Sequence, residues 1–169
     1  MKRILILVFV LTAALAAKSQ VYVGGSLNIW GSDDVTSFGI APEVGYNFNE
    51  TWAVGGTLQY AHNKRNSVKS NSFAIEPYAR YTFFENDVLR VFLDGQIGFS
   101  TLGVKGGGDN VNGFEIGVQP GLAIKATKHL SFLAKFGFLG YRDDFVDKAD
   151  GGGLSLTSQD LSFGFYYSF

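Results

Sequence analysis

The sequence predicts an all-β fold: an eight-stranded antiparallel up-and-down transmembrane β-barrel, preceded by a cleaved signal peptide. Three observations lead there. Apolar and polar residues alternate with a period of two in eight successive segments after residue 20, and the connections between those segments are alternately short and long. The apolar face is also nearly pure, with aromatic residues gathered at its ends. Period-two alternation belongs to strands with two unlike faces, not to helices.

The first nineteen residues read as a signal peptide and not as part of the fold. Lys2 and Arg3 form a positive start, Ile4 to Ala17 an apolar run, and Ala17 and Ser19 are small residues before Gln20. A cut after Ala16 is the alternative. The run is too short to cross a bilayer as a helix, which takes roughly 20 residues. Residues 20–169 are then one barrel domain. Without Lys2, Arg3 and Lys18 the 14 basic residues become 11 against 15 acidic ones, a formal charge of −4. An acidic domain has no electrostatic reason to seek nucleic acid. There is no cysteine, so neither a disulfide framework nor a Cys-ligated zinc site is available.

The strands follow in order. Strand 1 sets Val21, Val23, Leu27 and Ile29 on one face, and strand 2 sets Phe38, Ile40, Pro42, Val44, Tyr46 and Phe48 against Gly39, Ala41, Glu43, Gly45 and Asn47. Strand 3 has Trp52, Val54, Leu58 and Tyr60 against Gly55, Thr57 and Gln59. Strand 4 has Phe73, Ile75, Pro77, Ala79, Tyr81 and Phe83 against Glu76, Tyr78, Arg80 and Thr82. Strand 5 opposes Leu89, Val91, Leu93, Ile97 and Phe99 to Arg90, Asp94, Gln96 and Ser100. Strand 6 opposes Phe114, Ile116, Val118, Leu122 and Ile124 to Glu115, Gln119 and Lys125. Strand 7 has Leu130, Phe132, Ala134, Phe136 and Phe138 against Ser131 and Lys135, and strand 8 has Leu161, Phe163, Phe165, Tyr167 and Phe169 against Asp160, Ser162, Gly164 and Ser168. Leu133, Leu139, Phe84 and Phe92 fall on the polar side, and Trp30 has the wrong parity for an aromatic girdle.

Tight connections are expected near 48–51, 84–88 and 126–129, and long polar ones at 31–37, 62–72, 101–113 and 141–157. Outer-membrane barrels show this asymmetry, with short periplasmic turns and long outer loops. Alternation alone leaves two barrels open, a soluble one with its apolar face inward and a membrane one with it outward. Strands of about ten residues suit a tilted crossing. The aromatic ends (Trp52, Tyr46, Tyr81 and Tyr167 at one level, Tyr60, Phe73, Phe99 and Phe138 at the other) suit paired interfacial girdles. The membrane barrel is therefore expected. Prolines 42, 77 and 120 stand in this pattern although proline removes a ladder hydrogen bond; a bulge or a locally unpaired site would accommodate each.

The eight alternating strands, the openings Phe38-x-Ile40-x-Pro42 and Phe73-x-Ile75-x-Pro77, and the closing Leu161-x-Phe163-x-Phe165-x-Tyr167-x-Phe169 resemble the small outer-membrane β-barrel domain family of the OmpA/OmpX type. The resemblance implies location in a Gram-negative outer membrane. It also implies that Phe165, Tyr167 and Phe169 form the signal read by the barrel-assembly machinery. A bare barrel is expected, without the periplasmic peptidoglycan-binding domain of full-length OmpA-type proteins.

Glu43, Arg80, Asp94 and Lys135 should lie near mid-height on the inward face, with Arg80 and Asp94 close to a diagonal cross-strand pair. An eight-stranded barrel is just wide enough inside for side chains to fill it, and opposite charges there would pair. The expectation is a salt-bridged plug with a structural role. Lys64, Arg65 and Lys69 form a basic cluster in the second loop, candidates for lipopolysaccharide phosphate contact. A lipid hydrolase would need a nucleophile, base and carboxylate near the outer leaflet. His129 is at the wrong end for that, and His62 has no serine beside it on its strand, with Ser67 and Ser70 only in the loop beyond. Asp143, Asp144, Asp147 and Asp150 lack the spacing of a calcium loop, and Gly106–Gly108 lacks the ending of a phosphate-binding loop. No catalytic residue, metal or cofactor is expected.

The leading expectation is a non-enzymatic, monomeric outer-membrane barrel with a plugged polar lumen, serving envelope integrity or surface contact through four extracellular loops. Its partners would be outer-membrane lipid and lipopolysaccharide, the assembly machinery, and an unidentified extracellular partner. The alternative is a narrow channel or transporter for ions or small apolar molecules. A lipid-modifying enzyme is the third reading.

Overall fold

A computed structural model describes residues 20–31, 35–65, 68–104, 109–146, 150–156 and 161–169. Residues 1–19, Ser67, Gly106–Gly108, Asp147 and Asp160 lie outside the described residues, as do the side chains of Ile29, Trp30 and Arg65. The described residues form ten strands: β1 (Val21–Gly31), β2 (Val35–Asn47), β3 (Trp52–Arg65), β4 (Val68–Glu85), β5 (Leu89–Val104), β6 (Val111–Lys125), β7 (Leu130–Lys135), β8 (Phe138–Asp143), β9 (Gly151–Ser155) and β10 (Ser162–Ser168). All neighbours are antiparallel, β1 through β7 pair in sequence, and β10 joins β7 to β1. The result is a closed barrel of eight staves. Closure leaves that ring without a free edge.

β8 continues the seventh stave past a break at Phe136–Gly137, and β9 pairs with it. The connection expected to be loop from 141 to 157 is thus a strand hairpin over part of its length.

The tight turns share one chemistry. Asn49 Oδ1 accepts from the backbone N–H of Thr51 and Trp52 (2.8 Å each), and Asn86 Oδ1 from Val88 and Leu89 (2.9 and 2.7 Å). Thr127 Oγ1 accepts from His129 and Leu130 (3.2 and 3.0 Å). Each side chain substitutes for a backbone acceptor and fixes its turn locally.

Each proline sits beside a gap in one ladder. Pro42 is in register with Gly25, but the β2–β3 ladder skips from Ile40–Tyr60 to Glu43–Thr57. Pro77 is in register with Gly56, and the β4–β5 ladder skips from Ile75–Phe99 to Tyr78–Gln96. Pro120 is in register with Leu93 on one side and faces the β7–β8 break on the other. The missing N–H is placed where no partner strand asks for it.

The barrel is polar inside and apolar outside. Buried residues include Glu43, Thr57, Glu76, Arg80, Asp94 and Gln96, whereas Val54, Leu58, Ile75, Ile97, Ile116 and Phe132 are exposed. An exposed apolar surface of this extent belongs in lipid and not in water.

Two bulges correct the expected faces. At Thr82–Phe84 the register slips by one residue, so Phe84, expected inward, is 49% exposed on the outer face. At Gly137 the offset against β6 grows by one residue. Phe138, expected in the outer girdle, is therefore buried at 2% exposure, and Leu139, expected inward, is 52% exposed. One inserted residue inverts every face beyond it, because the side-chain period is two. Gly137 adopts φ = 69°, the left-handed region that favours glycine. Tyr141 takes an outward aromatic place in β8 instead.

Candidate functional site: the barrel lumen

The site is built by parity. Residues on the inward face of β2, β4, β5 and β7 bring Glu43, Arg80, Asp94 and Lys135 into one cluster. Arg80 and Asp94 are directly opposed in the β4–β5 register, closer than the diagonal expected. Arg80 donates through Nε to Asp94 Oδ1 (2.7 Å) and through Nη2 to Asp94 Oδ2 (2.9 Å) and Glu43 Oε1 (3.1 Å). Lys135 Nζ lies 3.0 Å from Asp94 Oδ2 and 3.4 Å from Glu43 Oε2. Two cations and two anions balance in a space closed to water, as buried charge requires.

Two tyrosines complete the cluster. Tyr78 donates to Glu43 Oε1 (2.6 Å), and the Tyr22 hydroxyl lies 2.6 Å from that of Tyr78. The Arg80 guanidinium stands 4.0 Å above the Phe92 ring centroid, a cation–π contact in a desolvated setting.

The lumen has two further layers. Toward the turns, Tyr22, Ala53, Phe92, Ala123, Leu133 and Tyr166 form an apolar and aromatic plug. Phe92 fits because β6 offers Gly121 opposite it; a Cβ there would stand 2.4 Å from the ring. Phe92 and Leu133, which break the alternation, thus face inward for a packing reason. At the rim below, Glu85 receives Arg90 (2.8 Å) and Lys125 (2.5 Å), and Arg90 Nη1 reaches the Tyr166 hydroxyl at 3.4 Å.

Toward the loops, Glu115 accepts from Arg142 Nε (2.8 Å) and Gln96 Nε2 (2.5 Å), with the Arg142 guanidinium 3.6 Å from the Phe138 ring centroid. Sequence reading missed this second ion pair. Arg142 stood in an expected loop, and the Gly137 bulge that turns it inward showed in the alternation only as the misplaced Leu139. Tyr22 and Tyr166 were also missed, although their parity opposite Val21, Val23, Phe165 and Tyr167 could have placed them inside.

The remaining candidate residues lie elsewhere. Lys64 and Lys69 are exposed and directly opposed at the loop end of the β3–β4 ladder, with Arg65 in register with Val68. Phe165, Tyr167 and Phe169 all face outward, and the Tyr167 ring packs on Phe169 and on His129 (5.1 and 5.5 Å between centroids). His129 Nδ1 pairs with the Ser168 carbonyl oxygen (2.8 Å) at the turn end, and His62 Nδ1 with Asn71 Oδ1 (2.6 Å) at the loop end. Among the described residues no group of acids and histidines is placed to hold a metal.

A closed barrel with a lipid-facing exterior and a charged, filled interior defines an integral outer-membrane protein of the small-barrel class. The chain belongs to the outer membrane protein β-barrel domain family, whose model matches residues 4–169. Its location is the outer membrane. Among solved structures it is similar to neisserial surface protein A, with 18% identity and a TM-score of 0.53 over 89% of this chain and 95% of that one. It is similar to the N-terminal β-barrel domain of Pseudomonas aeruginosa OprF, with 15% identity and a TM-score of 0.55 over 90% and 98%. The outer membrane protein Ail of Yersinia pestis, in a phospholipid bilayer nanodisc, gives 17% identity and a TM-score of 0.51 over 90% and 100%. At such identities the likeness is one of fold. No curated protein matches the chain.

Proposed function

We propose that this chain is a non-enzymatic barrel with a plugged lumen that supports envelope integrity and offers its four extracellular loops as a contact surface. The observation that carries the reading is the filled lumen: a neutral quartet of paired charges between an aromatic layer and a second ion pair. An ion crossing it would have to shed its own hydration and part paired, hydrogen-bonded charges in a filled space. Each histidine is engaged with an amide or backbone oxygen and not with a hydroxyl nucleophile, which supports a non-catalytic role.

Residues 1–19 serve here as the export signal, the folded barrel is monomeric, and Phe165, Tyr167 and Phe169 are the residues the assembly machinery reads. Lys64 and Lys69 repel each other as an opposed pair unless an anion joins them. Lipopolysaccharide phosphate is the anion at that level of an outer membrane, and Arg65 would add to the contact.

The first test is single-channel conductance of the refolded mature barrel in a planar bilayer at high salt. Silence from protein shown to be folded is the expected result; regular current steps would promote the channel reading. For the lipid contact, replacing Lys64 and Lys69 together by Glu should reduce lipopolysaccharide retained by the barrel several-fold. Unchanged retention removes the contact from the proposal.

A further inference from the structure

Beyond β8 the chain turns back into the barrel mouth. Phe145 lies in a connecting segment yet is fully buried, at 0% exposure. Its ring fits a socket that β5 and β6 leave open by carrying glycine. A Cβ on Gly98 would stand 2.7 Å from the ring, and one on Gly113 would stand 2.0 Å from the Asp144 carbonyl oxygen. The Val146 N–H donates to Ser100 Oγ (3.3 Å) and the Asp144 N–H to Asp150 Oδ1 (2.7 Å). Gly98 also abuts the side chain of Glu115, the partner of Arg142: a Cβ there would stand 2.6 Å from the Glu115 Cγ.

The residues on either side of the ring are held at positive φ, Asp144 at 49° and Val146 at 47°. Among the described residues they are the two non-glycine residues in that region. Aspartate enters it at modest cost, but a β-branched side chain there is a real outlier. Strain of this kind persists only where the surroundings hold it. Ring burial and backbone strain therefore oppose each other at one site, on a segment held in the mouth by hydrogen bonds and not by a strand ladder.

We propose that Phe145 is a strained stopper that leaves and re-enters its socket, making the loop end of the lumen an outward-opening pocket above a closed floor. Release relaxes Val146 and uncovers Gln96, Ser100, Glu115 and Arg142 to the outside. The aromatic layer around Phe92 carries no such strain and stays shut, so release opens a pocket and not a pore. The inference rests on the plugged-lumen reading.

The chain has no cysteine, so single cysteines report solvent entry cleanly. Ala74, buried and in register with Ser100, reports the loop end; Ala123, buried against the aromatic layer, reports the turn end. Folded barrels carrying Ala74→Cys or Ala123→Cys are treated with a methanethiosulfonate reagent, and folding is checked by heat-modifiable gel migration. Ala74→Cys should be modified slowly, Phe145→Ala should speed that at least tenfold, and Val146→Gly should slow it several-fold. Ala123→Cys should stay unmodified throughout. Where Phe145→Ala does not fold, Phe145→Leu should give a smaller acceleration. An unchanged or faster rate with Val146→Gly overturns the stopper, as does an unchanged rate when Phe145 is truncated. Modification of Ala123→Cys as fast as that of Ala74→Cys, together with current steps in the bilayer, overturns the plugged lumen instead.

Discussion

Arg80 ties the centre of the lumen together, bonding Asp94 twice and Glu43 once while lying over Phe92. Removing it would leave two carboxylates in a closed space with only Lys135 to balance them. Arg80→Ala should therefore lower the folding stability of the barrel by about 3–5 kcal/mol, read as a lower urea midpoint in refolding. The double change Arg80→Met with Asp94→Leu should recover most of that loss, since replacing a buried pair by apolar groups is often neutral. A single variant as stable as the parent would mean that water reaches the cluster. The inward placement of the four charges could be read from parity alone. Their contacts could not, because cross-barrel distances depend on tilt and stagger that one strand's pattern does not carry. The Tyr78 bond to Glu43 and the Tyr22–Tyr78 bond belong to that hidden part.

At the level of elements, alternation located eight staves and, as the short gaps between them, three tight turns. What failed was parity beyond each bulge. A bulge inserts one residue without changing composition, so Phe84, Phe138 and Leu139 took the opposite face from the one expected. The apolar breaks at Leu139 and Phe84 were the visible trace of these insertions; those at Leu133 and Phe92 were true inward residues. Gly137→Ala tests the bulge directly. At φ = 69° an alanine is strained, and its Cβ would stand 2.7 Å from the Leu156 side chain. A loss of about 1–2 kcal/mol in refolding stability is expected. No loss would mean that the bulge migrates to a neighbouring residue at little cost.

For the whole molecule, length, period and the polarity of one face determined a small eight-staved barrel with its charges sequestered. A backbone crossing lipid as strands must close on itself, and its side chains must then alternate between lipid and lumen. Those constraints act residue by residue along the chain, so one sequence displays them. The tertiary structure alone decided the detail of the lumen: three layers, two ion-pair clusters separated from the turn end by packed rings, and a mouth filled by Phe145. It decided as well that β8 and β9 extend into an expected loop. These features arise between residues far apart in sequence, through register, bulge position and the stagger of closure. No local period encodes them, because each depends on where the neighbouring stave happens to stand.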